Sequence, residues 1–585
     1  MAGTSERKVE PLSARQIAAT SGLLLLALCI RLFLAPIPST DDDLYFHTWS
    51  HLSVERGIAT IYDFRDNQYA FREILAASGA PNVFPAHQLF PDPYLSCNYP
   101  PLFLYHLKAI GHIYKAVSPT FDETTGVFRA LLKTPTILFD VLVAYIIFAL
   151  LKARFSFRTA LAGLSLYAFN PAIIYDSGYA GFPEALSVPF ILLSLVALER
   201  EKPTLSWALM AVSIWTKAQG VVFLPLLLFV TWKRWGFKGL FRPVAAALLV
   251  SFLVFLPFFL AGRPDAPAKF FHQLRTREPL DLEPGWEGWI HQEAILCMGA
   301  HNLWWLVSRG RGDLSDGRAL LGPLSYRQVG LILFGLSYLL VLYNLHKKPG
   351  KDALFRAGWL ISFFFFMLPT QIAERYLFPA LPLLLLWGIE KRRARRLYFL
   401  LSATFFLNLY LVFYFLPIWP WKALGGLSSL PVTAALWVSP FKERMLSLSI
   451  ALINLNILAR VTLSLCGKFH LNYKRLIKIA LFMLNAVIIL VIIIPHKMKP
   501  EEEAAVFLGR GRFYLNQGWA GLAIGELEMA ISKDPTLSDA RYFLAVAWAA
   551  AGEKERAVSI LQDLLRREPE HRPARDLLRR LEGRP

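Results

Sequence analysis

The sequence predicts an all-α membrane protein with about 13 transmembrane helices, surface helices in the first outer loop and a small C-terminal helical repeat domain. Three observations lead to this fold class. Hydrophobic residues make up 55% of the 585 residues, and a mean hydropathy of +0.41 is too high for an ordinary soluble protein. Apolar runs long enough to cross a bilayer alternate with short basic loops. The C-terminal tail is more polar and repeats at a fixed spacing.

Each predicted span is an apolar run bounded by polar or charged loops. In chain order, the predicted spans cover residues 17–36, 131–151, 159–174, 184–199, 204–216, 219–233, 241–261, 326–346, 354–370, 375–389, 397–416, 444–465 and 475–495. We expect segment 101–117 to be a helix on the outer surface, because a crossing there would place the basic residues 152–158 outside. Segment 424–440 is either a surface helix or a further crossing, so the side on which the tail lies depends on it.

Basic residues set the predicted orientation. The formal net charge is +19, and Lys and Arg concentrate in short loops such as 391–396, which marks the cytoplasmic side. This distribution accounts for the basic composition without a nucleic-acid partner. The predicted domains are a cytoplasmic N-terminus (1–16), a catalytic membrane domain (17–390), additional spans (391–499) and a repeat domain (500–585). The two large outer loops are 37–128 and 262–325, and an odd number of spans places the tail outside.

The tail carries pairs of residues separated by a constant 34 positions. The pairs are Tyr514 and Trp548, Gly518 and Gly552, Ala523 and Ala557, Leu527 and Leu561, and Pro535 and Pro569. Small residues at helix contacts, with Pro closing each unit, resemble tetratricopeptide repeats. Two repeats and a trailing helix are close to the minimum for a stacked core. The tail is therefore either a docking surface for a protein partner or a spacer packed on the membrane domain.

Polar side chains gather on the outer side of this topology. They are Asp42 and Asp43, Tyr99, Glu184 with the preceding run Tyr175–Tyr179, Lys217 and Gln219, His301, Asn302 and Trp304, and Glu374, Arg375 and Tyr376. Ionisable groups at a membrane edge are costly unless they are paired or functional. Each group by itself is explained by a helix cap, a charge at the lipid headgroups or an interfacial aromatic belt. Their convergence on one face predicts a functional site.

The order of these motifs resembles the GT-C fold of integral-membrane glycosyltransferases, over residues 17–390. The resemblance is strongest to prokaryotic relatives of the dolichyl-phosphate-glucose glucosyltransferases. It rests on Asp42, Phe46, Trp49, Gly57, Tyr62, Tyr99-Pro100-Pro101-Leu102, Tyr105, Lys217-Ala218-Gln219, Pro225, Asn302-Leu303-Trp304-Trp305, Glu374-Arg375-Tyr376-Leu377 and Pro379. The resemblance implies an inverting hexosyltransferase that takes glucose or a mannose-like sugar from a polyprenyl-phosphate carrier. It implies Asp42, or next Asp43, as the general base.

The remaining site residues follow from the chemistry of the leaving lipid phosphate. Its growing negative charge needs fixed cations, for which Lys217 and Arg375 are the candidates. His301 is expected to assist and Trp304 to stack on a sugar face. Tyr99, Glu184, Gln219, Asn302, Glu374 and Tyr376 complete the predicted substrate-binding set. Relatives often carry His where this chain has Ala373, which puts the phosphate contact in question. We expect no cofactor and no metal, because a second set of acidic ligands is not evident.

The acceptor remains open between a protein, a lipid and a glycan. Some eukaryotic protein O-mannosyltransferases join a similar membrane domain to outward-facing tetratricopeptide repeats, and by this analogy a protein acceptor stands beside the lipid and glycan alternatives. A sugar transporter or flippase is the alternative from another functional class, although such proteins place charges at the bilayer midplane. The predicted location is the plasma membrane of a prokaryote, with the active site and the repeats facing outside.

Overall fold

A computed structural model describes most of the chain. The described residues are 11–37, 39, 42–78, 97–121, 126–276, 295–310, 314–350, 352–414, 440–465, 500, 504, 507–508, 511–512, 515 and 520–582. This part is mostly helical, which confirms the predicted helical class. The predicted span 475–495 lies outside the described residues, as does segment 424–440 except for its last residue.

The first half of the chain consists of helices joined mainly by short turns. They are α1 Ala14–Leu34, α2 Asp42–Glu55, α3 Phe64–Ser78, α4 Pro101–Val117, α5 Gly126–Lys152, α6 Phe157–Ala168, α7 Pro171–Ile174, α8 Glu184–Glu199, α9 Pro203–Thr216, α10 Leu224–Trp235, α11 Phe241–Leu260 and α12 Ala266–Thr276. Short 3₁₀ helices cover Ile58–Thr60, Ala218–Phe223 and Lys238–Leu240, and a π-helix covers Tyr175–Ala180.

The second half contains helices and four short strands. The helices are α13 Leu303–Val307, α14 Tyr326–Lys347, α15 Ala353–Met367, α16 Ala380–Gly388, α17 Arg392–Tyr414, α18 Pro440–Leu465, α19 Ala520–Lys533, α20 Ser538–Ala550, α21 Lys554–Arg567 and α22 Arg572–Glu582. The strands are β1 Cys297–Met298, β2 Ala319–Leu321, β3 Leu324–Ser325 and β4 Ile372–Ala373. A further 3₁₀ helix covers Glu374–Leu377.

Five helical segments in the described part are long and apolar enough to cross a membrane. They are Ala14–Leu34, Gly126–Lys152, Lys238–Leu260, Tyr326–Lys347 and Met445–Leu465. Several other predicted spans are shorter or interrupted. The span predicted at 159–174 is divided at Asn170, whose side chain accepts a hydrogen bond from the N–H of Ala172 and begins α7. Pro171 fits this first helical position because its ring fixes φ and it lacks an N–H.

The strands correct the expectation that all regular structure would be helical. β1 pairs in parallel with β4, with Cys297 opposite Ile372 and Met298 opposite Ala373. Residues 37–128 and 262–325, the loops that the sequence predicts to lie outside, are called the first and second outer loops below. This contact attaches the second of them directly to the backbone before Glu374. β2 and β3 form a small antiparallel hairpin within the same loop.

The packing divides into separate hydrophobic clusters. One large cluster joins α5, α6, α8, α15, α16 and α17. A second cluster packs the helices of the first outer loop, α2 and α4, against α9 and α11. In the tail, the 34-residue spacing has a structural reason, since Ala523, Ala557, Leu527 and Leu561 are all buried in one cluster formed by α19 to α22.

Candidate functional site

Five of the predicted site residues meet in one buried group, which we call the Glu184 cluster: Glu184, Lys217, Gln219, Glu374 and Arg375. Its centre is Oε1 of Glu184, a residue with no solvent exposure. The Lys217 ammonium and the Arg375 Nε each lie 3.4 Å from that oxygen. The Gln219 amide donates to the same atom at 3.2 Å. One carboxylate oxygen therefore orients two cations.

Helix ends explain why these residues converge. α8 and α9 are joined by the short turn 200–202, so they run antiparallel, and the start of α8 meets the end of α9. Glu184 is the first residue of α8, where a carboxylate is favoured by the helix dipole. Lys217 is the C-cap of α9, in extended backbone that leads into the next 3₁₀ helix. Arg375 lies in the 3₁₀ helix that follows β4.

Aromatic rings and a second carboxylate hold the two cations further. Arg375 Nη1 donates to Glu374 Oε1 at 3.0 Å, and its guanidinium lies 4.4 Å from the centre of the Phe182 ring. The Lys217 ammonium lies 4.4 Å from the Tyr99 ring centre and donates to the Tyr99 hydroxyl at 3.2 Å. Charges fixed in a water-poor environment interact more strongly with an added charge than charges in water do.

Tyr99 connects the Glu184 cluster to the first outer loop. Its ring centre lies 5.3 Å from that of Phe46 and 5.4 Å from that of Trp49. Both rings belong to α2, which begins at Asp42. The side chains of Asp42 and Asp43 lie outside the described atoms, so the structure places their helix and not their carboxylates.

The second outer loop contributes residues whose contacts are mainly structural. Asn302 caps α13, since its side-chain oxygen accepts from the N–H groups of Trp304 and Trp305. Trp304 is 1% exposed, and its indole N–H donates to the Leu368 carbonyl. Protein atoms therefore cover the Trp304 ring, which the sequence suggested as a sugar platform. The predicted contact of Asn302 with substrate stays a prediction.

His301 and Tyr376 also lie beside protein groups. The backbone N–H of His301 donates to the side-chain oxygen of Asn408 at 2.9 Å. The imidazole ring centre of His301 lies 5.1 Å from the ring centre of Trp305. Burial lowers the pKa of His301 to about 3, so the ring is neutral near pH 7. Tyr376 stacks on Phe365, with 6.0 Å between the ring centres. A neutral His301 contributes hydrogen bonding rather than positive charge.

Glycine is required where the second loop approaches Glu374. Gly299 has a φ of +89°, and a Cβ at this position would lie 2.8 Å from Glu374 Oε2. The isolated bridge between Gly299 and Ala373 holds the two backbones together. A residue with a side chain here would displace the carboxylate that pairs with Arg375.

Asp176 is a further buried acid beside this site that the sequence-based residue set omitted. It lies on the π-helix, has no solvent exposure, and neither of its carboxylate oxygens has a hydrogen-bond partner within the described residues. Burial raises the pKa of Asp176, and repulsion from Glu184 raises it further. In the sequence, Asp176 could have been chosen because it is the acidic residue of the run Tyr175–Tyr179, which separates two apolar segments.

Two buried basic residues fix the backbone around Asp176. Arg31 pairs with Asp140 at 2.6 Å, and Asp140 also accepts from the Ser177 hydroxyl at 2.7 Å. Lys133 donates to the carbonyl of Ile37 at 2.9 Å and to that of Tyr179 at 2.7 Å. Arg31, Lys133 and Asp140 were not singled out, although charges within predicted spans are costly and usually paired.

The described residues hold no group of three or more His, Cys, Asp or Glu side chains arranged to bind a metal. The Glu184 cluster instead combines two cations with two carboxylates and an amide, and the Tyr99 hydroxyl contacts one of the cations. Such a set can bind an anionic group at the cations and donor groups at the carboxylates.

The comparison with protein families concerns the tail. Residues 514–581 match the family model described as tetratricopeptide repeat, which confirms the repeats expected there. Repeats of this kind generally mediate protein–protein interactions. A search of curated proteins found no match to this chain. The C-terminal tail of this chain thus carries tetratricopeptide repeats.

Proposed function

We propose that this protein is an inverting GT-C type glycosyltransferase, which moves a glucose- or mannose-like monosaccharide from a polyprenyl-phosphate carrier to an acceptor hydroxyl. The observation that carries the proposal is the Glu184 cluster, in which one buried carboxylate orients Lys217 and Arg375. Two fixed cations suit a leaving lipid phosphate, whose negative charge grows as the glycosidic bond breaks. The contact of Lys217 with Tyr99 joins these cations to the helix that begins at Asp42.

In this proposal Asp42 is the general base. Its carboxylate takes the proton of the acceptor hydroxyl while that oxygen attacks the anomeric carbon opposite the phosphate. The phosphate leaves with the bonding electrons and is stabilised by Lys217 and Arg375, so the configuration at the anomeric carbon is inverted. Asp43 is the second candidate for the base.

The proposed topology is a polytopic plasma-membrane protein of a prokaryote with about 13 spans, an outward-facing active site and an outward-facing tail. The five long apolar helices support membrane insertion. The repeats favour a protein acceptor or partner, because this repeat class generally binds proteins. A lipid or a glycan remains the alternative acceptor.

The test is sugar transfer by the full-length protein in proteoliposomes. The donors are radiolabelled polyprenyl-phosphate glucose and mannose, and the acceptor is an extract of host membranes and envelope proteins. We expect wild type to transfer label and Asp42→Asn to lose about 10²- to 10⁴-fold in rate, the usual contribution of a general base. Asp66→Asn is the matched control, because Asp66 is an exposed acid in the same outer loop.

Equal transfer by wild type and Asp42→Asn would assign the base to Asp43 or to another residue. If wild type transfers neither sugar, the same proteoliposomes are assayed for movement of the labelled donor between leaflets. Flux without transfer would replace the transferase with a lipid-linked sugar transporter.

A further inference from the structure

Three buried carboxylate oxygens beside the cations have no hydrogen-bond partner within the described residues. They are both oxygens of Asp176 and Oε2 of Glu184. The other oxygen of Glu184 is occupied by Lys217, Gln219 and Arg375. Buried acceptors are rarely left unpaired in proteins, because they lose their bonds to water without compensation. These oxygens are therefore suited to receive hydrogen bonds from a ligand.

The backbone that carries Asp176 is held on two sides. Ser177 donates to Asp140, while Lys133 donates to the Tyr179 carbonyl. Gly181 ends the π-helix with a φ of +72°. A carboxyl group on a backbone segment fixed in this way keeps one orientation, and this favours the binding of a ligand donor group at a particular position.

The charges around these oxygens restrict the ligand chemistry. At these oxygens a free cation is repelled by Lys217 and Arg375, and an anionic group is repelled by the carboxylates themselves, so an anionic group is better bound at the two cations. A neutral polyol meets neither repulsion, and its hydroxyls donate hydrogen bonds to carboxylate oxygens. The raised pKa of Asp176 supports this choice, because a neutral carboxyl both donates to and accepts from hydroxyl groups.

We propose that Asp176 and Oε2 of Glu184 bind hydroxyl groups of the transferred sugar, while Lys217 and Arg375 bind the phosphate to which that sugar is attached. This inference rests on the proposed function, since it assigns the hydroxyl-binding part of the same site. Asp176 then determines which hexose is accepted, and its role is distinct from that of the general base.

The test compares donors that differ by one hydroxyl. Full-length protein in detergent is given the same acceptor extract with farnesyl-phosphate glucose or mannose, or with the corresponding 2-, 3-, 4- and 6-deoxy donors, and kcat/KM for transfer is measured for each donor. We expect wild type to reject at least one deoxy donor by about 10- to 100-fold, because a buried acceptor is left unpaired. Asp176→Ala, which removes the carboxyl group, should reduce that one ratio to within about threefold of unity and leave the other ratios unchanged.

The inference is overturned if Asp176→Ala transfers sugar with every wild-type ratio intact. If that variant does not fold, the infrared carboxyl bands of wild type decide. The intact donor should shift the band of a buried protonated acid, and the rejected deoxy donor should not. Equal shifts with both donors, or none, would overturn the inference.

Failure of the proposed function is recognised separately, because wild type then transfers no sugar from any intact donor. The deoxy series is in that case tested by direct binding of the donors to wild type and Asp176→Ala. If the variant no longer distinguishes the intact donor from that one deoxy donor, Asp176 recognises the hydroxyl in a transporter. Unchanged binding preferences would overturn the inference.

Discussion

At the scale of single residues, burial decides what each polar group can do. Glu184 has no exposure, so its charge is tolerated through its contacts with Lys217 and Arg375. Buried ion pairs contribute little net stability, because desolvation offsets the attraction between the charges. Such ion pairs instead fix the orientation of side chains. Here the Glu184 carboxylate holds Lys217 and Arg375 beside one oxygen atom, in a site that is connected to α2. This is the property that phosphate binding requires.

The buried histidines of the first outer loop predict acid sensitivity. Burial, aided by repulsion from His51, lowers the pKa of His47 to about 3, while burial lowers the pKa of His51 and of His106 to about 4. In the unfolded chain these rings titrate near about 6.5. Below that pH the unfolded state binds protons that the folded state excludes, so stability falls as pH decreases from about 6.5 toward 3.

The expected slope is at most about 1.4 kcal/mol per pH unit for each such ring. Urea unfolding at pH 7, 6 and 5 measures it. In His47→Gln, the change in unfolding free energy per pH unit should be smaller by about the contribution of one ring. The control is His346→Gln, at an exposed position near the end of α14, which should keep the wild-type slope. An unchanged slope in His47→Gln would contradict the assignment of His47 as a neutral buried ring.

At the scale of elements, the π-helix is the segment whose geometry depends most on one glycine. Gly181 has a φ of +72°, and an added Cβ would lie 2.4 Å from Lys133 Cγ. Gly181→Ala should therefore cost about 2–4 kcal/mol through backbone strain plus overpacking. Gly262→Ala separates the two effects, because Gly262 has a φ of +74° with no atom within 4 Å of the added Cβ.

Thermal unfolding and donor transfer measure the outcome of this comparison. Gly262→Ala should show the strain alone, about 1 kcal/mol, and retain wild-type transfer. Gly181→Ala should lose more stability and more activity, because it displaces Lys133 and with it the segment leading to α2. Equal losses in the two variants would show that Lys133 moves aside without consequence.

How far the sequence predicted these elements depended on the range of the interaction. The local apolar run predicted at 326–346 nearly coincides with α14, which follows Ser325, whose side chain and that of Gln328 form reciprocal caps. The pairing of β1 with β4 could not be predicted, because two residues from each of two distant loops leave no periodic pattern. Glu184, Lys217 and Arg375 were chosen by type and position, and their convergence on one oxygen required the tertiary structure.

At the scale of the whole molecule, hydropathy located apolar segments but not their continuity. The structure divides several of them: the predicted span 159–174 is interrupted at Asn170, and the predicted span 375–389 begins with the 3₁₀ helix that carries Arg375. Within a membrane domain, non-helical backbone is tolerated where it is buried in protein. The chain breaks that make the span count hard to predict are the same breaks that position the Glu184 cluster.

The repeats lead to the last prediction, which concerns the acceptor. Leu561 is fully buried in the tail cluster, so Leu561→Asp should unfold this small array by burying an unpaired charge. If the repeats hold a protein acceptor near the membrane domain, they raise its effective concentration. Their loss should then reduce label in the protein fraction about tenfold or more and leave transfer to lipid unchanged.

Met529→Asp, at a residue 44% exposed, is the matched control and should leave both unchanged. Limited proteolysis confirms that the tail has unfolded, and wild-type protein labelling by such a variant would make the tail a spacer rather than a docking surface.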